Sequence, residues 1–466
     1  MTERRKRLYV QTFGCQMNVY DADQMVTGLA PMGYGPARSA HEADLILVVT
    51  CAIREKADQK VFSYLGRLEA LKSRRPGLKI AVGGCVAQGQ GRRMLSRAPH
   101  VDAVFGTHAV GRLPAIIRRI EAGSGPVVDV AMDGDGDAFA PFTDPPADPG
   151  VARFVTIMQG CDNYCTYCVV PYVRGPETSR PPESVVAEVT GLVRAGVREV
   201  TLLGQNVNSY GVKEGLPGFP DLLGRVAGVR GLKRIRFTTS HPKDLSDGLI
   251  EAYRHIETLC PHIHLPVQSG SDRVLKRMNR KYDRKRYLER VARLREARPG
   301  IAMTTDIIVG FPGETDADFQ QTLDFLDAVR FDGLFAFKYS DRPQAPAARF
   351  SDPVPEPVKA ERLNTLLAAQ TAITGESYAR LVGTEADVLV EGPARRNGAA
   401  AGTQWTGRSP ENRIVNFTAA PPASPIAPGM TVRVAIAEAL AHSLRGTAIP
   451  LDAPADARKG EHTHAA

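Results

Sequence analysis

Three cysteines within eight residues, Cys161, Cys165 and Cys168, constrain this chain more than any other feature of its sequence. The chain has 466 residues and seven cysteines, so thiols grouped this closely indicate a metal centre, a disulfide or a redox pair. A disulfide is disfavoured because the cysteine count is odd and the sequence has the character of an intracellular protein. A structural zinc ion would need a fourth ligand nearby, and no cysteine or histidine stands between Val169 and Val200. We call these three residues the "loop cysteines". Their spacing best fits an iron–sulfur cluster in which the three thiolates bind three irons and one iron is left open.

An aromatic residue, Tyr167, precedes the third loop cysteine and completes a CxxxCxΦC pattern, in which Φ is aromatic. This pattern resembles that of the radical S-adenosylmethionine superfamily. The resemblance implies that the open iron of a [4Fe-4S] cluster binds the amino and carboxylate groups of S-adenosylmethionine, whose reductive cleavage gives a 5′-deoxyadenosyl radical. It also predicts that Tyr167 contacts this cofactor.

A second set of cysteines is spread over the N-terminal part of the chain. Cys15, Cys51 and Cys85, the "strand-end cysteines", each follow an apolar strand-like run, and helix-like sequence such as 55–71 separates the runs. This alternation predicts a doubly wound parallel sheet, in which all strands end at one edge and ligands bind outside that edge. Three thiols at the edge would converge on a second metal site, although any one alone would more often be an ordinary buried cysteine.

Changes in composition divide the chain into units. Residues 1–133 form the predicted N-terminal α/β unit, and the Asp-, Gly- and Pro-rich residues 134–150 form a linker. Residues 151–380 alternate strand and helix patterns, which predicts a partial (β/α)6 barrel with catalytic groups on the loops after the strands. Residues 381–450 resemble a small β-barrel of the oligonucleotide-binding kind, and 451–466 a disordered tail. The strand patterns of the central unit are 153–159, 198–205, 233–240, 262–268, 303–311 and 334–340.

Two loops at the predicted catalytic face offer further candidates. Gly310, Gly313 and Glu314 follow the fifth strand pattern, where the glycines would let the backbone approach a cofactor closely. Residues 205–210 follow the second pattern and present amide side chains that can pair with a base edge or an adenosyl group. Each loop could instead be a simple turn. Cys260 precedes the fourth strand, at the opposite end of the barrel, and is predicted to be structural.

Basic residues are concentrated in one segment. Residues 273–298 include twelve Lys or Arg and three Asp or Glu, a net of +9 against +8 for the whole chain. The run favours contacts with phosphates, and a solvated helix face is the alternative. The single tryptophan, Trp405, could stack on RNA or fill the core of the small barrel. The arginines near it in the sequence are Arg395, Arg396 and Arg408.

Hydropathy gives no sign of membrane association. No apolar run approaches the roughly 20 residues that span a bilayer, and the basic N-terminus lacks the apolar segment of a signal peptide. We therefore expect a cytoplasmic protein without a membrane partner.

Apart from the tail, the whole chain resembles the methylthiotransferase family of radical S-adenosylmethionine enzymes, and within it the MiaB-type enzymes that modify transfer RNA. The C-terminal unit then corresponds to a TRAM domain. One departure is the loop after the second strand, where many radical S-adenosylmethionine enzymes carry Gly-Gly-Glu and this chain has Gly204-Gln205. The blocks that carry the similarity are 12–18, 51–55, 204–210, 264–270, 339–340 and 342–343.

The resemblance implies two [4Fe-4S] clusters, a radical-generating one on the loop cysteines and an auxiliary one on the strand-end cysteines that presents sulfur. It implies that a methylthio group is added to C2 of N6-isopentenyladenosine at position 37 of transfer RNA, beside the anticodon. It further implies a monomer that depends on a sulfur donor and on an electron donor such as a flavodoxin or ferredoxin.

Three alternatives stay open from the sequence. The same chemistry could act on an aspartate of a ribosomal protein or on threonylcarbamoyladenosine in transfer RNA, because each brings one C–H bond to the same radical. An RNA-binding protein whose clusters sense iron or redox state would explain the C-terminal unit. It would not explain the loop cysteines on the catalytic face of a barrel.

Overall fold

The computed structural model describes residues 5–52, 55–132, 139, 149–394, 404–419 and 425–449. Most of the predicted linker, the predicted tail, Arg395 and Arg396 lie outside these residues, as does part of the 51–55 block. Among the described residues, no helix is long and apolar enough to cross a bilayer. The unit boundaries expected from the sequence stay predictions.

The N-terminal unit is a parallel sheet with helices on both faces. Its strands are β1 (Lys6–Thr12), β2 (Tyr34–Pro36), β3 (Leu45–Thr50), β4 (Lys79–Gly84), β5 (Ala103–Phe105) and β6 (Val127–Asp129). Its helices are α1 (Gln16–Leu29), α2 (Glu55–Arg74), α3 (Cys85–Gln90), α4 (Arg93–Arg97) and α5 (Leu113–Glu121). The order β2-β1-β3-β4-β5-β6 confirms the predicted doubly wound fold, and three short strands, β2, β5 and β6, join those expected.

Alternate residues of β3 enter two different cores. Leu47 and Val49 pack with α1 and α5 on one face of the sheet, and Ile46 and Val48 pack with α2 on the other. Because helices cover both faces, every residue of β3 is buried. The ends of β1, β3 and β4 are thereby held side by side.

The central unit is a partial barrel of six parallel strands, accompanied by one short antiparallel pair of strands. Its strands are β7 (Ala152–Thr156), β8 (Met158–Gln159), β9 (Thr178–Ser179), β10 (Glu199–Leu203), β11 (Arg234–Thr238), β12 (His262–His264), β13 (Ala302–Val309) and β14 (Gly333–Lys338). Its helices are α6 (Val170–Arg174), α7 (Pro182–Arg194), α8 (Phe219–Ala227), α9 (Asp247–His255), α10 (Asp272–Arg277), α11 (Arg284–Ala297) and α12 (Asp316–Val329). Two half-sheets, β7-β10-β11 and β12-β13-β14, meet through a bridge between Ile235 and Leu259, while β8 and β9 form a separate short pair. The predicted six-stranded partial barrel is confirmed.

A long helix leads into a small closed barrel at the C-terminus. The helix is α13 (Glu356–Ala379), and the strands are β15 (Glu385–Pro393), β16 (Trp405–Arg408), β17 (Ile414–Thr418), β18 (Thr431–Ala439) and β19 (Leu444–Ala448). They close in the order β15-β16-β17-β19-β18, which confirms the small β-barrel expected there.

This small barrel docks on the end of the central barrel where the strands begin. Arg236 is buried and donates to the carbonyls of Ser409 (2.9 Å) and Pro410 (2.7 Å). Arg234 donates to the carbonyl of Arg408 (2.6 Å). The loops after the strands, at the other end, are left free for chemistry.

Candidate functional site

The strand-end cysteines lie together at the carboxyl edge of the N-terminal sheet. Cys15 immediately precedes α1, Cys51 follows β3, and Cys85 is the first residue of α3. The strands before them, β1, β3 and β4, are direct neighbours in the sheet. The thiol of Cys51 hydrogen-bonds to that of Cys15, and Cys15 and Cys85 are close enough to interact electrostatically.

Two glycines let the strand-end loops approach one another. Gly14 has a φ of +128°, and a Cβ there would lie 2.2 Å from the Cβ of Cys51. Gly84 has a φ of +94°, and a Cβ there would lie 2.4 Å from the carbonyl oxygen of Thr50. A side chain at either position would therefore force the cysteines apart.

The surroundings shift the acidity of the strand-end thiols in opposite directions. The hydrogen bond from Cys51 lowers the pKa of Cys15 to about 6, against the effect of burial and with help from Arg174. Burial raises the pKa of Cys85, and the charge of Arg174 opposes that rise. The lowered pKa favours the thiolate of Cys15, which is the form that binds iron.

Arg174 connects the two sets of cysteines. It ends α6, the helix that follows the loop cysteines, and its side chain is only 3% exposed. Its Nη2 atom donates to the Asp21 carboxylate (2.7 Å) and to Oδ1 of Asn18 (3.2 Å), both on α1. Its Nη1 atom is buried without a hydrogen-bond acceptor among the described residues. A cation from the central barrel therefore lies beside the thiols of the N-terminal unit.

The loop cysteines lie after β8, at the carboxyl end of the barrel strands. Nδ2 of Asn163 lies 3.5 Å from Sγ of Cys161 and donates to it. Burial raises the pKa of Cys161 to about 11 and that of Cys168 to about 12. These thiols would ionise on binding a metal, because the positive charge of the metal stabilises the thiolate form that burial disfavours.

A second buried arginine, Arg280, serves the loop cysteines. Its Nη1 atom donates to Sγ of Cys165 (3.4 Å) and to the hydroxyl of Tyr167 (3.3 Å). Its Nη2 atom donates to the carbonyl of Pro266 (2.7 Å). These bonds orient Cys165 and Tyr167 together.

Both sets of thiols suit an iron–sulfur cluster in their donor chemistry. Each offers three thiols beside one buried guanidinium, whose charge can offset that of thiolates and bridging sulfides. Within the described ranges, no three His, Cys, Asp or Glu side chains converge on the position of a single metal ion. A cubane cluster does not require such convergence, because each thiolate binds a different iron.

The two sets share one interface. Cys85 packs against Val169 and Val173, which follow the loop cysteines. Cys15 packs in a cluster with Leu203, at the end of β10. The strand-end cysteines and the loop cysteines therefore both border the space at the carboxyl end of the barrel strands, where one ligand could lie next to both.

The loop at 310–314 is tied to the chain itself. The carboxylate of Glu314 accepts hydrogen bonds from the amide of Gly310 (3.0 Å) and from Arg362 of α13 (2.8 Å). A Cβ on Gly310 would lie 2.3 Å from the side chain of Lys359, and Gly313 is likewise crowded by side chains. The two glycines thus lie close to other side chains of the protein, and a contact between Glu314 and S-adenosylmethionine stays a prediction. Contacts between S-adenosylmethionine and Gly310 or Gly313 stay predictions.

Unpaired polar atoms gather at the carboxyl ends of β8, β10 and β11. In the loop at 205–210, both ends of the Asn206 side-chain amide are hydrogen-bonded. Its Nδ2 donates to Asp244 (2.8 Å), and its Oδ1 accepts from the backbone amide of His241 (3.1 Å). Because buried polar atoms are nearly always paired, the unpaired ones suit a polar ligand. Those without a partner among the described residues are Nε2 of Gln159, Nε2 of Gln205, Oδ1 of Asn208, Oγ of Ser240 and Nε2 of His241.

Four of the twelve basic residues in the run at 273–298 pair with acids of the chain, and contacts of the others with phosphates stay a prediction. Arg280 is buried and cannot reach a phosphate. Five residues of the run are exposed and make no ion pair among the described residues, namely Lys276, Lys281, Lys285, Arg286 and Arg295. The ion pairs are Arg273 with Asp318, Arg277 with Asp352, and both Arg290 and Arg293 with Asp247.

Trp405 is partly buried and packs against the core of the small barrel, which favours the core hypothesis over stacking. Arg408 pairs with Glu391 (2.9 Å).

Cys260 is buried, and its amide donates to the carbonyl of Ile235 (3.0 Å), as expected for a structural residue.

Sequence reasoning missed Arg174 and Arg280 as members of the site. No motif marks either residue. The available signals were weak: Arg174 lies just after the loop cysteines, and Arg280 is one of twelve basic residues in its run.

Comparisons with known proteins define the class first. A model of the radical SAM superfamily matches residues 155–326, one described as uncharacterized protein family UPF0004 matches 7–106, and one of the TRAM domain matches 379–449. The radical S-adenosylmethionine methyltransferase TsrM of Kitasatospora setae shares the fold, with a TM-score of 0.55 and 13% identity over 85% of this chain and 79% of that chain. The cobalamin-dependent radical enzyme OxsB gives a TM-score of 0.52 and 13% identity, and the match spans 78% of this chain and 56% of that one. The fold and the site together are those of a radical S-adenosylmethionine protein.

Full-length relatives narrow this class to a family. Proteins named tRNA-2-methylthio-N(6)-dimethylallyladenosine synthase are 53% identical in Desulfosudis oleivorans, over 99% of this chain and all of that protein, and 51% identical in Geobacter sulfurreducens, over 90% and 93%. The relative of this name in Myxococcus xanthus is 49% identical over 96% of this chain and 95% of its own. The chain belongs to the tRNA-2-methylthio-N(6)-dimethylallyladenosine synthase family.

Proposed function

We propose that this protein adds a methylthio group to C2 of N6-isopentenyladenosine in transfer RNA. The observation that carries the proposal is the shared interface between two sets of three thiols, each with its own buried arginine. Replacing an unreactive aromatic C–H bond by C–S needs a radical and a sulfur atom already in place beside the carbon, which accounts for two sets. The relatives' shared name supports this substrate over a ribosomal-protein aspartate.

In this proposal the loop cysteines hold the [4Fe-4S] cluster that binds S-adenosylmethionine, and the strand-end cysteines hold an auxiliary [4Fe-4S] cluster. When bound, these groups supply the radical, the sulfur and the methyl group. Tyr167 is proposed to contact S-adenosylmethionine, and the unpaired Nε2 atom of Gln205 to donate to the cofactor or to the base.

The chain itself contributes position, charge and exclusion of water. Arg280 fixes Cys165 and Tyr167 relative to each other by donating to both. Arg174 fixes α6 against α1 through Asp21 and so sets the distance between the two sets of thiols. The apolar packing around Cys85 and Cys15 keeps water from a reactive radical.

Transfer RNA is the proposed macromolecular partner, which the relatives' name and the TRAM domain support. A reductant such as a flavodoxin or ferredoxin and a sulfur donor complete the reaction. We propose that a monomer carries it out in the cytoplasm, where transfer RNA is modified.

Deleting the gene is expected to leave N6-isopentenyladenosine in transfer RNA and to remove its 2-methylthio form, because the proposed reaction forms the C–S bond of that nucleoside. Mass spectrometry of digested transfer RNA would measure both nucleosides. Masses of ribosomal proteins from the same strain serve as the control. An intact methylthio nucleoside together with an unmodified ribosomal aspartate would transfer the assignment to a protein substrate.

Exposed lysines near the loop cysteines are expected to bind phosphates of this RNA. Changing Lys276, Lys281 and Lys285 to alanine should weaken binding and flatten its dependence on salt, by about 0.7 to 0.9 in the log–log slope for each phosphate that the variant no longer neutralises. Binding to transfer RNA at several salt concentrations gives the slope. Arg119→Ala, an exposed change in the last turn of α5 at the sheet edge away from the cysteines, is the matched control. If the salt dependence of binding had the same slope in the triple variant and the parent, the three lysines would face solvent and would not contact phosphates.

A further inference from the structure

A groove lined by basic side chains lies at the end of the central barrel where the strands begin. It runs between the carboxyl-terminal ends of α7 and α8, and Val193 and Val229 are part of its lining. None of the described residues that line it is an Asp or a Glu. The cysteines lie at the other end of the barrel, so the groove is separate from their site. Its basic residues are Arg194, Arg198, Arg225, Arg230 and Lys233.

Two of these five cations have partners within the chain. Arg225 pairs with Glu183 (2.8 Å), an acid that is itself exposed. Nη1 of Arg198 donates to the backbone carbonyls of Val197 (3.0 Å) and Val193 (3.3 Å), at the end of α7. Arg198 therefore has the ordinary role of a basic residue near a helix end, which is to satisfy the last carbonyls.

The other three, Arg194, Arg230 and Lys233, are the "groove cations". All three are exposed, and their side chains make no hydrogen bond or ion pair among the described residues. Helix dipoles do not account for them, because two carboxyl-terminal helix ends together amount to only about one negative charge and Arg198 is already there. Like charges in one groove repel one another, and a bound polyanion would relieve that repulsion.

The groove adjoins the small C-terminal barrel. A Cβ on Gly429, just before β18, would lie 3.6 Å from Cγ of Arg198. The small barrel matches the model of the TRAM domain, which supports transfer RNA as the partner of this protein. A polyanion that contacts the small barrel would therefore find the groove cations beside it.

The groove is too far from the thiols to touch the nucleotide that reacts. The strand β10 runs from the groove to the cysteine end of the barrel, and its 5 residues span about 17 Å. An anion in the groove is thus at least the length of a strand from the reacting base. A phosphate bound there belongs to a part of the RNA outside the anticodon loop.

We propose that the groove cations bind the sugar–phosphate backbone of transfer RNA outside its anticodon loop. The inference rests on the proposed function, in which transfer RNA is the substrate. Arginine can donate two parallel hydrogen bonds to a phosphate, and lysine contributes a point charge, so the three suit a chain of phosphates rather than base edges. The groove contributes affinity and takes no part in the reaction.

The test changes Arg194, Arg230 and Lys233 together to alanine in the holoenzyme. Affinity for full-length transfer RNA should fall by about tenfold at low salt, and the log–log salt slope should flatten by about 2 in all, since each lost phosphate contact removes about 0.7 to 0.9. KM for transfer RNA should rise with kcat unchanged, because these contacts are the same before and during the reaction. A single-stranded RNA with the sequence of the anticodon loop alone should bind the variant and the parent equally.

Two matched variants control for charge and for folding. Changing Arg93, Arg118 and Arg119 to alanine removes the same charge from exposed positions of the N-terminal unit and should leave the slope unchanged. The exchange Arg194→Lys, Arg230→Lys and Lys233→Arg keeps the charge and should keep most of the affinity. An unchanged slope in the groove variant, or an equal loss in the control on the N-terminal unit, would overturn the proposal.

The remaining outcomes separate the groove from the proposed function. If the parent methylthiolates transfer RNA and the groove variant binds it as tightly, the groove proposal fails while the function stands. If the groove variant loses affinity but the parent never forms the methylthio product, the function fails while the groove stands. Slower reduction of the clusters by flavodoxin, with unchanged RNA binding, would assign the groove to an acidic protein and overturn the proposal. An equal loss of affinity for the loop RNA would overturn it too, because the groove would then contact the anticodon loop.

Discussion

Alanine in place of all three loop cysteines is expected to lower the iron content of anaerobically reconstituted protein from about eight to about four atoms, because each set of thiols holds one four-iron cluster. The same variant should release no 5′-deoxyadenosine, since Cys161, Cys165 and Cys168 would bind the cluster that cleaves S-adenosylmethionine. Alanine in place of the three strand-end cysteines should also leave about four irons. That second variant should still form 5′-deoxyadenosine but give no methylthio product.

The matched control for both triple variants is Cys260→Ala, a buried cysteine at the opposite end of the barrel. It should keep both clusters and both activities. Iron assays, electron paramagnetic resonance of the reduced protein and chromatography of the nucleosides separate these results. A parent protein with only about four irons, or loss of both clusters in the loop variant, would contradict two independent sites.

Arg174→Met is expected to destabilise the protein by about 3 to 5 kcal/mol, because it leaves a buried carboxylate without its counter-ion. The Asp21 side chain is 10% exposed and has Arg174 as its cation at 2.7 Å. Chemical unfolding of the cluster-free protein measures this loss without interference from metal. The variant should also assemble the auxiliary cluster less completely, since a positive charge beside Cys15 and Cys85 is removed.

Two further variants separate burial from charge. Adding Asp21→Asn to Arg174→Met should recover part of the lost stability, because the uncompensated charge disappears. Arg225→Met breaks an exposed pair with Glu183 and should change stability by less than about 1 kcal/mol. A loss of that small size in Arg174→Met would show that the buried pair does not hold α6 against α1.

The sequence predicted those features that depend on residues close together in the chain. The spacing of Cys161, Cys165 and Cys168 indicates an iron–sulfur loop without any tertiary information, because all three ligands lie within one short segment of backbone. The strand-end cysteines could be predicted to converge because parallel strands all end at one edge. Alternation of β and α patterns likewise predicted the sheet and the central barrel, and short strand patterns predicted the small C-terminal barrel.

Only the tertiary structure decided which side chains meet across the units. Arg174 and Arg280 look like any other basic residues in the sequence, yet packing buries each beside a set of thiols. The basic run was expected to contact phosphates, and only the fold shows that acids from distant elements, such as Asp318 and Asp352, pair with four of its twelve basic residues. Strand alternation alone cannot tell which face of β14 is covered, and only the fold shows that α12 and α13 cover the face that carries Leu334 and Ala336. Hydrophobic periodicity encodes local structure, whereas partners for a charge or a ring come from residues far along the chain, and those are fixed only by the assembled fold.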